Sequence, residues 1–361
     1  MTRPPDVSVV SSGHDVADAR LHRVVMACQE AGLSVEVIGL GDPAGAPAGC
    51  AVRTWSRPSI WRRPLLAARV VGSARGRALI ALDPDSLVAA RLRWAGRRLL
   101  VADVHEDYAR LLHDRAWSRG LAKRIALGLT EVATRVASRA DVTIVADASL
   151  PPLRAARRLV VPNHPLHWPG ATLDPLDEEP RAAYVGDLRS SRGLFRMLEV
   201  IEGLPDWTLD LIGPVREADR AELEQRLAGD LGSRVRWHGR QPPDAAWSIA
   251  SGAWAGFALL DDTPAFRRAV PSKIYEYLAW GMLPVASDLP RQRAFLQEAG
   301  AGVCVRDVAH ARTVLDDLAG DPDRVRHLRD VGAQFAGREM GDCAAYQEAA
   351  AAIAALVRGE S

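Results

Sequence analysis

The chain has 361 residues, of which 48% are hydrophobic and 25% charged, with a formal net charge of +1. Such proportions exclude disordered, collagen-like and coiled-coil classes, and the length calls for two domains of roughly 150–200 residues. The neutral total conceals a split: residues 1–165 carry +9 and residues 166–361 carry −8. Residues 43–102 hold 11 arginines opposed only by Asp83 and Asp85. This pattern points either to a basic half that meets something anionic or to an arginine-rich solvated surface. Among the 46 basic residues only Lys123 and Lys273 are lysines. The four cysteines, Cys28, Cys50, Cys304 and Cys343, are far apart and form no C-x-x-C pair. Neither a zinc site nor a disulfide framework is indicated. The first residues lack the apolar core of a signal peptide, and no apolar run reaches the ~18–20 residues that span a bilayer. The expected location is the cytoplasm, with peripheral contact at the inner membrane face.

Short apolar runs alternate with amphipathic stretches along the whole chain. Strands are predicted at 7–12, 34–41, 77–85, 97–107 and 140–147, with helices at 21–32 and 117–138, and RRLVVPNHP (157–165) closes this half. Residues 162–182 contain five prolines and no periodicity, which reads as a linker. The alternation then restarts. Strands are predicted at 181–187, 207–214, 234–240, 252–260, 281–288 and 301–307, helices at 192–203, 217–231, 244–251, 271–280 and 290–299, and a mostly helical tail at 308–358. Strands alternating with helices predict an α/β fold in which each sheet is parallel and covered on both faces. The expected organisation is two doubly wound, Rossmann-like domains, residues 1–165 and 181–340, joined by a linker at 166–180. A last helix at 341–361 follows, and a ligand cleft is expected between the carboxyl ends of the two sets of strands.

Several strand ends carry residues suited to chemistry. In YVGDLRSSRGL (184–194) a strand runs into Gly186, and Arg192-Gly193 opens a helix. Glycine permits close backbone approach, a helix amino end favours anions, and arginine grips phosphate bidentately. In AVPSKIYEYLAWG (269–281) Pro271 suits the first helical turn and Gly281 the helix end. Lys273 and Glu276 share a face, so that Lys273 could meet a diphosphate while Glu276 accepts ribose hydroxyls; a surface salt bridge between them is the plainer alternative. In SSGHDVADAR (11–20) Gly13 can turn backbone N–H groups toward an anion, with His14, Asp18 and Arg20 following; Asp15 or Asp18 could simply cap a helix. VADVHEDY (101–108) puts His105, Glu106 and Asp107 beyond a buried strand, where a histidine and a carboxylate could act as acid and base or bind sugar hydroxyls. Asp83-Pro84-Asp85 has the D-x-D form of a metal motif but reads better as a strand-end turn, so no metal is expected.

Together these segments, with VPNHP, LIGP, VRWHGRQP and GAGVCV in the same order, resemble the family-4 retaining glycosyltransferases of the GT-B fold, in particular a sub-branch with DvHE and PsK-x-x-EY segments. The resemblance implies transfer of a hexosyl group from a nucleotide-diphosphate-sugar to an acceptor hydroxyl, with retention, without a metal and without a cofactor. It implies catalytic roles for His105, Arg192 and Lys273. Donor binding falls to Gly13, Gly186, Arg192, Lys273 and Glu276, and the acceptor side to His14, Asp18, Arg20 and Glu106. It suggests pathways such as cell-surface polysaccharide, glycolipid or natural-product synthesis. The chain also departs from the pattern. Arg268 stands where the first Glu of E-x7-E falls, Asp187 stands at the first basic position of the glycine turn, and Phe335 is the candidate for the aromatic before the last helix. Arginines with Trp55, Trp61 and Trp94 in 43–102 suit an anionic membrane surface or an anionic acceptor; a soluble acceptor is the rival. The alternatives are a nucleotide-sugar epimerase or hydrolase of the same fold and a non-catalytic scaffold. No nucleic-acid partner is expected, since no recognition motif is present.

Overall fold

The computed structural model describes residues 4–59, 62–94, 98–112, 120–163, 173–264, 266–340 and 344–360. The chain falls into two compact units, Met1–Leu166 with Cys343–Ser361, and His167–Asp342.

In unit 1 the elements follow as β1 (Val7–Asp15), α1 (Ala19–Glu30), β2 (Val35–Leu40), β3 (Ala51–Trp55), α2 (Arg63–Ser73), β4 (Ala78–Ala81), α3 (Pro84–Trp94), β5 (Leu99–Val104), α4 (Tyr108–Leu111), α5 (Gly120–Ala137), β6 (Val142–Val145) and β7 (Arg158–Val160). Their parallel sheet has the order β3-β2-β1-β4-β5-β6-β7. Side chains alternate across a strand, so β1 feeds two cores. Val7 and Val9 pack with Leu21 and Val25, whereas Val10 packs with Leu66 and Val70 on the opposite face. Asp18 caps α1 by accepting from the amides of Arg20 (2.9 Å) and Leu21 (3.1 Å).

Unit 2 contains β8 (Arg181–Val185), α6 (Leu194–Glu202), β9 (Thr208–Ile212), α7 (Glu217–Leu227), β10 (Val235–Gly239), α8 (Pro243–Ala250), β11 (Ala255–Ala258), α9 (Ser272–Ala279), β12 (Leu283–Ser287), α10 (Pro290–Ala299), β13 (Val303–Val305), α11 (Val308–Ala319) and α12 (Pro322–Met340). Its sheet is again parallel, in the order β10-β9-β8-β11-β12-β13. The final helix, α13 (Ala344–Arg358), returns to unit 1, where Tyr346, Ile353 and Val357 join the core beside α1.

Both sheets reverse their winding beside their first strand, between β1 and β4 in unit 1 and between β8 and β11 in unit 2. In doubly wound sheets ligands bind outside the carboxyl ends of the strands at this reversal. The fold thus singles out the residues after β1 and β4, and those after β8 and β11.

The α/β, doubly wound reading agrees with the structure, with local corrections. β3 is absent from the sequence reading because AVRTW is short, carries Arg53 and lies at the sheet edge, half exposed. Within the closing stretch at 157–165, Arg158–Val160 forms an edge strand. β1 runs beyond residue 12 to Asp15, with its register shifting between Val10 and Asp15. Pro271 is the residue before the first turn of α9 rather than within it, and Gly281 (φ 68°) follows the helix end as expected. Within the expected linker, residues 166–172 lie outside the described residues, and 173–180 form neither helix nor strand. Trp61 and the side chain of Trp94 also lie outside the description.

Candidate functional site

The reversal point of unit 2 is built from glycines and buried tyrosines. β8 runs into Gly186 (φ 137°), whose amide donates to Ile212 O at 2.8 Å. Lys273, in the first turn of α9, is turned inward and is only 8% exposed. Its Nζ donates to Val185 O at 3.0 Å and lies 4.1 Å from the centre of the Tyr184 ring. A Cβ added to Gly186 would stand 2.9 Å from this nitrogen. Glycine therefore lets the ammonium reach the strand end. Two further groups hold the arrangement: Tyr184 donates to Asp187 O at 2.9 Å, and Tyr277 donates to Phe257 O at 3.0 Å while accepting from the Val185 amide at 3.4 Å. Burial pushes the Tyr277 hydroxyl well above the ordinary phenol value, which keeps it a donor.

Among the described residues Lys273 shows no ion pair, and Glu276 is half-buried on the same helix. Arg192 closes a short 3-10 turn (Ser190–Arg192) and has no side-chain hydrogen bond or ion pair within the described residues. Gly193 after it has φ 83°, and a Cβ there would stand 2.1 Å from Leu259 O. The turn is thereby docked on the end of β11, across the reversal point. Asp187, at the position where the resemblance expects a base, is ion-paired with Arg189 at 2.5 Å. Arg268 is exposed in the 3-10 turn Phe266–Arg268. Phe335 is buried in α12 and meets Phe295 at 5.5 Å, so it belongs to the core of unit 2.

In unit 1 the bulged end of β1 is tied to the residue after β4. Asp83 accepts from Ser11 Oγ (2.8 Å), from Ser12 N and Oγ (both 2.8 Å) and from Ser86 N (3.0 Å). These bonds make Asp-Pro-Asp a structural turn, as the sequence reading has it. Ser11 Oγ in turn accepts from the amides of His14 (2.7 Å) and Gly13 (3.2 Å). Those amides close the turn on itself, which corrects the expectation that Gly13 presents its N–H to an anion. The space a Gly13 Cβ would take holds the Arg63 guanidinium, 2.6 Å away.

His14 Nδ1 lies 3.5 Å from Asp18, and the His14 and His105 rings meet edge to face at 4.8 Å. Burial alone would lower the pKa of His14, but its hydrogen bond to Asp18 and the charges of Asp18, Asp83 and Glu106 raise it overall. Asp18 is held well below the carboxylate range: burial opposes this, and the hydrogen bond and charge of His14 outweigh it. His105 shifts the other way, lowered first by burial and then by the neighbouring His14 charge, and its Nδ1 is buried without a hydrogen-bond partner. The pair thus juxtaposes a protonation-prone imidazole and one kept neutral. Glu106 is exposed at the end of this segment. Arg20 stands apart from the group. It is buried and donates to Asp103 from Nε (2.9 and 3.0 Å) and Nη2 (2.6 Å), and to Val161 O. It serves the core of unit 1, a role for which an isolated Arg and a distant Asp leave no sequence signal.

No protein-family profile matches the chain, and no curated protein sequence matches it. Solved structures do. HepE of Anabaena, in complex with UDP-glucose, matches with a TM-score of 0.71 at 16% identity, covering 98% of this chain and 100% of that one. Sucrose-phosphate synthase from Thermosynechococcus elongatus matches with a TM-score of 0.71 at 15% identity, over 96% and 97%. WaaG, a glycosyltransferase involved in lipopolysaccharide biosynthesis, matches with a TM-score of 0.66 at 13% identity, over 98% and 100%. The chain has the GT-B fold. Within that fold Lys273, Gly186 and Arg192 gather around the reversal point of unit 2, and Gly13, His14, Asp18 and His105 around the strand ends of unit 1. No helix among the described residues is long and apolar enough to cross a membrane.

Proposed function

We propose that the protein is a retaining glycosyltransferase, moving a hexosyl group from a nucleotide-diphosphate-sugar to an acceptor hydroxyl. The observation that carries this reading is the Lys273 ammonium, buried at the Gly186 turn of unit 2 with no carboxylate partner among the described residues, at the reversal point where this fold class binds ligands. A cation kept there without an anion of its own suits a phosphate group. The GT-B fold shared with HepE, crystallised with UDP-glucose, and with the glycosyltransferase WaaG supports the assignment.

Unit 2 holds the donor: Lys273 and Arg192 on the diphosphate at the Gly186 turn, and Glu276 on the ribose hydroxyls. No side chain caps the amino end of α9, so its first amides add to the same positive field. As the bond from the anomeric carbon to the diphosphate breaks, charge grows on the leaving phosphate, and these groups stabilise it without a metal ion. Unit 1 supplies His105 as its catalytic residue and receives the acceptor beside His14, Asp18 and Glu106, with Gly13 lending its compact turn. Its arginine-rich face suits contact with an anionic membrane surface from the cytoplasm, in glycolipid or cell-surface polysaccharide synthesis.

Transfer of a labelled sugar, or the slow hydrolysis of the donor when no acceptor is present, tests the assignment. Lys273→Ala and Arg192→Ala are each expected to lower turnover by about 100-fold or more with unit 2 still folded. Near-normal turnover in both variants contradicts it.

A further inference from the structure

Unit 1 contains an open groove of about 1190 Å³ bounded by the end of β3, the segment that follows it, and one face of α2. Its described lining includes Trp55, Arg57, Arg62, Leu65, Arg69 and Arg93, and no carboxylate. Elsewhere some surface arginines of this chain have an acidic partner, as in Arg135 with Glu131, Arg220 with Glu217 and Arg326 with Asp323. The groove instead gathers four guanidiniums on one wall with no acid among its described lining.

The groove is also shaped for these groups. Positions 62, 65, 66, 69, 72 and 73 recur at helical spacing, so α2 turns one face to it. Gly72 on that face costs the helix about 1 kcal/mol against alanine. A Cβ there would stand 3.2 Å from the Arg93 guanidinium carbon, so the missing side chain is the room in which that guanidinium lies. Leu65 stays 68% exposed between Arg62 and Arg69. An apolar residue among cations with no acid in the described lining suits a ligand that brings both an anion and a hydrocarbon portion. Arg57 joins the groove to the strand-end cluster, because its Nη1 donates to Gly13 O at 3.2 Å, next to His14.

We infer that this groove is the acceptor site and that the acceptor is a phosphate-bearing amphiphile, its phosphate held by Arg62, Arg69 and Arg93 and its apolar portion laid over Leu65 and Trp55. The inference rests on the proposed transferase function, and supplies the acceptor class that function leaves open.

Calorimetric titration with monomeric dihexanoyl phosphatidate tests it, with dihexanoyl phosphatidylcholine and inorganic phosphate as comparison probes and UDP as a separate titrant. The phosphatidate is expected to bind about tenfold or more tighter than either comparison probe. R69A/R93A should weaken it by a similar factor. L65D should do the same without removing any arginine, at a position exposed enough to leave the fold intact. UDP binding should be the same in all three proteins. Equal binding of the phosphatidylcholine, or unaltered phosphatidate affinity in both variants, overturns the inference. Retained UDP binding in that event leaves the donor assignment standing, whereas absence of binding by every nucleoside diphosphate with phosphatidate binding intact refutes the donor assignment alone.

Discussion

Two histidines 4.8 Å apart with opposite shifts are the most informative residues of unit 1. The raised His14 and the lowered Asp18 make an ion pair that operates between the ordinary carboxylate and imidazole ranges. Asp18's contribution is lost as pH falls through its depressed value, and His14's as pH rises through its elevated one. His105 has the reverse sign to His14, since its lowered value means that protonating it opposes folding. Proton titrations of the two rings by NMR should give a higher midpoint for His14 than for His105. Asp18→Asn should lower the His14 midpoint and so narrow the gap between the two. A common midpoint in the parent protein contradicts this reading. At this scale Lys273 was legible because lysine is almost absent from the chain, and His105 because three polar residues follow a buried strand. The role of Arg20 was not, because it depends on Asp103, 83 residues away.

The turns between elements do as much as the helices and strands to form the unit 2 site. Gly193 has φ 83° and would bring a Cβ to 2.1 Å from a carbonyl oxygen, whereas Gly239 has φ 66° with nothing within 4 Å of its would-be Cβ. Gly239→Ala should cost only the intrinsic penalty of the left-handed region, about 1 kcal/mol. Gly193→Ala should cost about 2 kcal/mol or more, because the turn must also back away from β11. It should weaken donor binding as well, by displacing Arg192. Urea unfolding of the two variants checks this, and equal destabilisation would show that the contact with β11 is not tight. Buried strands such as VSVV and LPVAS and the helix ends at Asp18 and Gly281 announce themselves in the sequence. The edge strand β3 does not: half exposed and carrying Arg53, it shows no run of apolar residues, and only pairing with β2 through Val37–Val52 and its neighbours makes it a strand.

Over the whole chain, the alternation of strands and helices with a restart after a proline-rich stretch was enough to foresee two doubly wound sheets. Sheet order was not in the sequence; it follows from right-handed crossovers between parallel strands once they pack. The charge division is resolved more finely by the structure. Four arginines of the basic first half line the groove along α2, while in the second half Lys273 and Arg192, neither with an acidic partner among the described residues, stand at one strand-end site. The most direct measurement is a thermal-shift screen against nucleoside diphosphates and their sugars, run on the parent protein and on Lys273→Ala. A matching nucleotide at 100 times its dissociation constant should stabilise the parent by about 2.7 kcal/mol and the variant far less. Absence of a shift with every nucleotide, or an equal shift in both proteins, contradicts the assignment of unit 2 as the donor site.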